Sequence, residues 1–491
     1  MTNEPDEDTK HEFQYGVPRY VPFEEPDIPK LEDIDFDIRD YYPDEVKEVT
    51  IESFQLPDKS PIQMFLEMPF DSPTLFKLSA ILHSLSWTVG RYFTWNGIRM
   101  NSMFILSSSP GVFHRSTLVE LDEKIRWGSY KLFKSYLEKY EGRVTDIRKE
   151  CFDEYELKSG TQQGFRDKIE TTQAGYTYKC DNIANLDVPL FAWTDGEFGL
   201  TISQHEFILE LISKLKEAEV YKFNLSQKGK ANNVSTTAEF KARSTLLGSM
   251  QDPELYLGVK DNQQGAMRRV VFVYGTPDQI DIDKLILPSQ FSRMKNVRNK
   301  MIENINKKLG LEMFKAHTHI FNLKPEIRNF IQLNIPIDIQ AQIDGIYITN
   351  DKEWKANPYH LDTMTRVTDW LHYVQVLGLF RINRIVAKKE AEDKDWKKDW
   401  NNTKLFMQKI DVNRREANMR IALKYKTDKK WKLPYIEDMY NKNGIEEVFS
   451  KVDSMKVDDI FDCLMHLQLA GRVDDLKVLQ MLLEKIRQHQ F

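Results

Sequence analysis

One stretch constrains the fold of this chain more than any other: NSMFILSSSPGVFHRSTLVELDEKI, running from Asn101 to Ile125. Met103–Leu106 is a short apolar run that predicts a buried strand, and Ser107–His114 is a loop of small residues. From Ser116 the pattern predicts a helix that continues through KIRWGSYKLFKSYLEKY. A buried strand that turns through a small-residue loop into a long helix needs other strands beside it and helices over it, which points to an α/β core. The preceding segment SPTLFKLSAILHSLSWTVGRY, with Leu75, Leu78, Ile81, Leu82 and Leu85 at three- and four-residue steps, supplies one such buried helix. His83 within it reads as a core histidine satisfied by a neighbour.

Strand, loop and helix in that order form the geometry of a phosphate-binding loop. Backbone N–H groups and the positive end of the helix dipole converge on a polyphosphate, a basic side chain reaches the outer phosphates, and a hydroxyl holds Mg²⁺. In this role Arg115 is the cation and Ser116, followed by Thr117, the metal-binding hydroxyl. Ser109, Pro110 and Gly111 form the curve, and His114 leads into the helix. Against the pattern GxxxxGK[ST], Ser109 replaces the first Gly, His114 the second and Arg115 the Lys. A Cβ at position 114 crowds the phosphate path, and a planar guanidinium is not the compact point charge of an ammonium.

Three later segments fit the same core. VPLFAWTDGEFGL is an apolar strand ending in acids, where one carboxylate can hold a Mg²⁺-bound water and another polarise the attacking water; Asp195 and Glu197 are the candidates. Gly196 separates them, so either the turn is tight or only Glu197 takes its place; a strand ending in Asp-Gly is also an ordinary turn. STLLGSMQDPEL predicts a strand whose polar end, Ser249 and Gln251, can sense a terminal phosphate. GAMRRVVFVYGTPD places Arg268 and Arg269 before a further strand, where an arginine can serve as a finger for a neighbouring subunit's nucleotide or form a surface ion pair. The loop holding Lys228, Lys230, Asn232 and Asn233 is either a DNA-contacting channel loop or a solvated one.

In this order the motifs resemble the phage, plasmid and prophage P-loop ATPases often fused to primases, over residues 70–390. The resemblance implies a RecA-like P-loop NTPase core, ATP with Mg²⁺ as cofactors, a ring-like homo-oligomer, and a role as a replicative DNA helicase or similar motor on single-stranded or duplex DNA. The departures at Ser109, His114, Arg115 and Gly196 fall on the catalytic machinery, so they bear on turnover more than on fold. A scaffold that keeps the fold without turnover, or a DNA-binding replication or packaging protein, is the alternative.

At 491 residues the chain exceeds one hydrophobic core. The expected division is an acidic, mostly extended arm over 1–60, the RecA-like core over 61–350, a helical basic connection over 351–430, and a winged-helix-like module over 431–491. The arm is a solubilising tail or a docking arm anchored by aromatics that include Phe36 and Tyr41. The last module turns Asp458, Asp459, Asp462 and His466 outward and suits a protein partner. Basic clusters at QFSRMKNVRNKMIENINKKLG, KKEAEDKDWKKDW and KYKTDKKWKLP can neutralise phosphates, with Trp396, Trp400 and Trp431 available to stack on bases, or form solvated helix faces. The net charge of −6 argues against a uniformly basic nucleic-acid binder. Three isolated cysteines exclude a disulfide framework, and the absence of an apolar run of about 18 residues predicts a cytoplasmic protein with no membrane span.

Overall fold

The computed structural model describes residues 36–69, 72–108, 114–140, 155–157, 190–205, 207–217, 221–225, 236–240, 242–257, 267–275, 291–323, 331–356, 361–388 and 393–428. The chain is a mixed α/β protein built on a parallel sheet. Its strands are β1 (Met103–Ser108), β2 (Tyr155–Leu157), β3 (Leu190–Asp195), β4 (Arg243–Met250) and β5 (Val271–Gly275). They lie in the order β2-β3-β4-β1-β5, all parallel. Ser107 aligns with Met250 on one side and Tyr274 on the other, and Asp195 aligns with Gly248. The C-terminal ends of β1, β3 and β4 therefore share one edge of the sheet.

Strand β1 is buried along its whole length, as a strand covered on both faces must be. Alternation then divides its side chains. Phe104 and Leu106, with Leu247, Val271 and Val273, join one cluster; Met103 and Ile105, with Phe191, Trp193 and Phe272, join the other. The first face is covered by α2 (Thr74–Thr88), the start of α3 (Arg115–Tyr140) and α9 (Asp369–Lys388). The second is covered by α4 (Phe198–Gln204), α5 (Phe207–Glu217) and the end of α10 (Trp396–Asp428). Burying each of these large side chains contributes about 1.5–3 kcal/mol. Remaining helices are α1 (Pro61–Leu66), α6 (Phe291–Leu323), α7 (Ile337–Ala356) and α8 (Leu361–Arg366). Helices α3 and α6 pack closely where Gly128 meets Gly310.

His83 is a buried core histidine, held through Nδ1 while its Nε2 has no hydrogen-bond partner among the described residues. Burial holds the imidazole neutral, so its Nδ1–H donates to the Asp122 carboxylate at 3.0 Å, and Arg126 Nε donates to the other oxygen at 2.9 Å. Residues 36–60 lie across α7, α9 and α10. Tyr41 packs against Tyr373 and Trp400, Tyr42 donates to Asp369, and Gln55 exchanges hydrogen bonds with Asn402. Phe36 and Tyr41 thus anchor on the chain's own body. Trp396 and Trp400 are not available to stack on bases: both are 3% exposed, and Trp400 Nε1 donates to Gln342. A stacking platform needs an exposed ring face, and here the core takes both side chains. Trp431 and the 431–491 module lie outside the described residues. Among those described, no helix is long and apolar enough to cross a membrane.

Lys216 at the end of α5 is buried, donating to the Asn101 carbonyl at 2.8 Å and to Gln375 Oε1 at 2.6 Å. Two acceptors match the two N–H groups of a neutral amine. Burial pulls its pKa from 10.5 to about 7, partly opposed by Glu217. Between those values the unfolded chain binds the proton and the folded one does not, so the stability contribution rises with pH from about 7 to about 10.5. Urea unfolding of the wild type and Lys216→Met at about pH 7.5 and about pH 9 should show the wild type gaining about 2 kcal/mol on the variant. A parallel response of both proteins would contradict the buried neutral amine.

Candidate functional site: a cleft at the C-terminal edge of the sheet

In an open parallel sheet, ligands bind outside the carboxyl ends of the strands where the connections diverge. Here β1 continues into α3 toward β2, while β4 connects to β5 on the other side of β1. A cleft of about 190 Å³ opens at this edge, lined by His114, Arg115, Ser116 and Thr117, by Gly196 and Glu197, and by Ser249, Met250 and Gln251. That volume is below the roughly 300–1,000 Å³ of whole-ligand pockets and suits one subsite of a larger ligand.

Three strand ends supply the lining. The first turn of α3 carries no acidic residue, so its free N–H groups and positive dipole end are not neutralised locally. His114 precedes it with φ +50° and accepts the first helical hydrogen bond on its carbonyl from Leu118 N at 3.2 Å. This left-handed conformation, costly for a residue with a Cβ, falls where the phosphate-loop pattern calls for glycine. Ser116 is exposed, and its Cβ lies 3.8 Å from where a side chain on Gly196 would begin.

The two candidate acids have separate jobs. Asp195 is buried and turned inward: one oxygen accepts from Glu197 N at 2.9 Å and the other from Thr201 Oγ1 at 2.7 Å. Burial raises its pKa, and those two hydrogen bonds oppose the rise. Glu197 is exposed and faces the cleft. Asp195 therefore shapes the turn, and Glu197 is the carboxylate presented to a ligand. From β4, Ser249 is 4% exposed and lines the cleft, and its hydroxyl makes no hydrogen bond among the described residues. Ser107 Oγ donates to the Gln251 carbonyl at 2.7 Å, tying β1 to the end of β4.

Arg115 departs most from its expected role. Its guanidinium donates to the Ser108 and Met250 carbonyls and so bridges the ends of β1 and β4. Burial lowers its pKa from the ordinary arginine value, with Asp252 and then Glu197 opposing. It lines the cleft, yet in this state it braces the strands.

The structure brings His114, Arg115, Ser116, Thr117, Glu197, Ser249 and Gln251 together, with Asp195 behind them. Ser109, Pro110, Gly111 and the Lys228–Asn233 loop lie outside the described residues. Arg268 and Arg269 stand elsewhere: they precede β5 and so sit at the opposite edge of the sheet. Arg269 Nε pairs with Glu217 at 2.7 Å, while the Arg268 carbonyl accepts from Thr368 and His372. Sequence reasoning missed Thr201 and the Met250 carbonyl. The first signalled itself only as a hydroxyl six positions after Asp195; the second is a backbone atom with no signal at all.

No protein-family model matches the chain, and no curated protein matches it. What the site can do is therefore argued from its geometry. Gly248 illustrates how tightly the geometry is held: a Cβ there would lie 2.8 Å from the Phe198 ring, which is fully buried and packed edge-on to Trp193. Gly248→Ala must displace Phe198, and with it the adjoining Glu197. The expected cost is about 1–3 kcal/mol, read as a lowered urea midpoint; an unchanged midpoint would mean that α4 shifts freely.

Proposed function

We propose that this cleft binds the phosphate chain of a nucleoside triphosphate, that the chain is a RecA-type P-loop ATPase, and that it acts as a motor on DNA. One observation carries the nucleotide reading. The N-terminus of a long helix, a glycine-like backbone at His114, an exposed carboxylate at Glu197 and the polar end of β4 meet in one cleft, in the chain order the phosphate-loop motifs require. The positive helix end would receive phosphate oxygens, and Ser249 and Gln251 would contact the outermost group.

Mg²⁺ fits this site as a shared ion. Among the described residues no cluster of three or more His, Cys, Asp or Glu offers a protein-only cage. Ser116, facing the 195–197 turn, is the hydroxyl that would hold the ion, with phosphates and waters completing the shell. The ion would supply charge neutralisation of the phosphates. Glu197 is then the carboxylate placed to orient and deprotonate the attacking water.

A second reading draws on Arg115. Because its guanidinium is committed to two backbone carbonyls, the cleft can bind nucleotide as an assembly signal without turning it over. ATP hydrolysis by the full chain, with and without single-stranded DNA, separates the readings. DNA-stimulated turnover is the expected result. Binding of ATP without turnover would leave the scaffold, and no binding of ATP would end both.

A further inference from the structure

The turn that follows the cleft is acidic. Asp252 comes directly after Gln251, and Glu254 lies two residues on, in the single turn Pro253–Leu255. Two carboxylates so close to a phosphate subsite would repel the ligand. Helix α10 answers them. Arg420 Nη1 lies 3.7 Å from Asp252 and 3.6 Å from Glu254, Nη2 lies 3.4 Å from Glu416, and the guanidinium sits 5.4 Å from the centre of the Tyr274 ring at the end of β5. Asp252 also acts on Arg115 inside the cleft. It therefore stands between a cleft guanidinium and a helix guanidinium.

We propose that Arg420 is a positioning residue for anion binding: it neutralises Asp252 and Glu254, so that the cleft accepts a polyphosphate that their charge would otherwise repel. The inference rests on the nucleotide reading above. It adds a determinant more than 100 positions from any phosphate-loop motif and makes α10 part of the nucleotide site. Ser249 lines the cleft wall, and its hydroxyl makes no hydrogen bond among the described residues, which leaves it available to a ligand.

The test is calorimetric titration of the full chain with ATP and Mg²⁺, using wild type, Arg420→Gln, Arg420→Lys, Asp252→Asn and the double variant Arg420→Gln/Asp252→Asn. Removing one positive charge at this range is worth up to about a five- to tenfold change in affinity at low salt, shrinking as salt screens it. Arg420→Gln should weaken binding by that factor, and Arg420→Lys should keep most of the affinity. The double variant should lose less relative to Asp252→Asn than Arg420→Gln loses relative to wild type, because only the Glu254 share of the repulsion remains and a lost packing contact would not be rescued by removing an acid. Equal affinity of Arg420→Gln and wild type would overturn the proposal, as would a double variant as weak relative to Asp252→Asn as Arg420→Gln is to wild type. If the wild type itself binds no ATP, the nucleotide reading fails and this one with it.

Discussion

Replacing Arg414 with methionine is expected to cost about 3–5 kcal/mol of folding stability. Arg414 sits in α10 with 9% of its side chain exposed, donating to both oxygens of Asp369 at 2.9 and 2.8 Å and to Asp411 at 2.7 Å. Arg366 holds Asp411 with two further hydrogen bonds at 2.9 and 2.8 Å, and Tyr42 donates to Asp369 at 3.1 Å. Methionine fills much of the volume but leaves two carboxylates, 1% and 2% exposed, short of their main counter-ion. Burial pushes the Asp411 carboxyl up, but Arg414 and Arg366 outweigh it and hold the group below the usual carboxylate range. A lowered pKa of this kind stabilises the fold above the ordinary carboxylate pKa, and the stabilisation is lost as pH falls. In the variant less of that lowering remains, so the acid-induced loss should shrink and the two proteins should converge in stability as pH falls. Urea unfolding at neutral and mildly acidic pH measures both effects, and a change below about 1 kcal/mol would show the network to be replaceable by packing.

Glu197→Gln should lower ATP turnover by about 10²–10⁴-fold, the usual contribution of a positioned general base. The amide is nearly isosteric but has little basicity, so nucleotide affinity should change far less than the rate. The side chain has room for the exchange, because Glu197 is exposed and the turn is held by its backbone N–H through Asp195, not by its carboxylate. Steady-state hydrolysis beside ATP titration gives the two quantities separately. Turnover within a few-fold of wild type would remove Glu197 from the chemistry.

Much of this architecture was readable from the chain, for identifiable reasons. The run Met103–Leu106 followed by small residues and a long helix has few folded solutions, and β1 and α3 lie where that pattern put them. Ser249 and Gln251 reach the cleft because a parallel strand carries its polar end to the same edge as its neighbours. The same polarity shows why Arg268 and Arg269 do not: residues before a strand and residues after it belong to opposite edges. Arg115 does line the cleft, but its bracing of the strands was not legible. Its partners are the carbonyls of Ser108 and Met250, and backbone atoms carry no letter. Trp396 and Trp400 were ambiguous in kind, since a tryptophan among lysines reads as a stacking platform until its burial is known.

The strap formed by residues 36–60 bears on how the chain is made. The Pro43 carbonyl accepts from Arg415, a separation of 372 residues, and Tyr42 and Gln55 find their partners on α9 and α10 as well. At a synthesis rate of roughly 5–20 residues per second, these N-terminal aromatics wait on the order of 20–70 s for the helices that receive them. Their docking can begin only after those helices are made, by which point every strand of the parallel sheet has already been synthesised. A nascent chain stalled before α7 would therefore leave Tyr41 and Tyr42 without Gln342, Asn350 and Asp369, the groups that receive them, and open to whatever else can bind them.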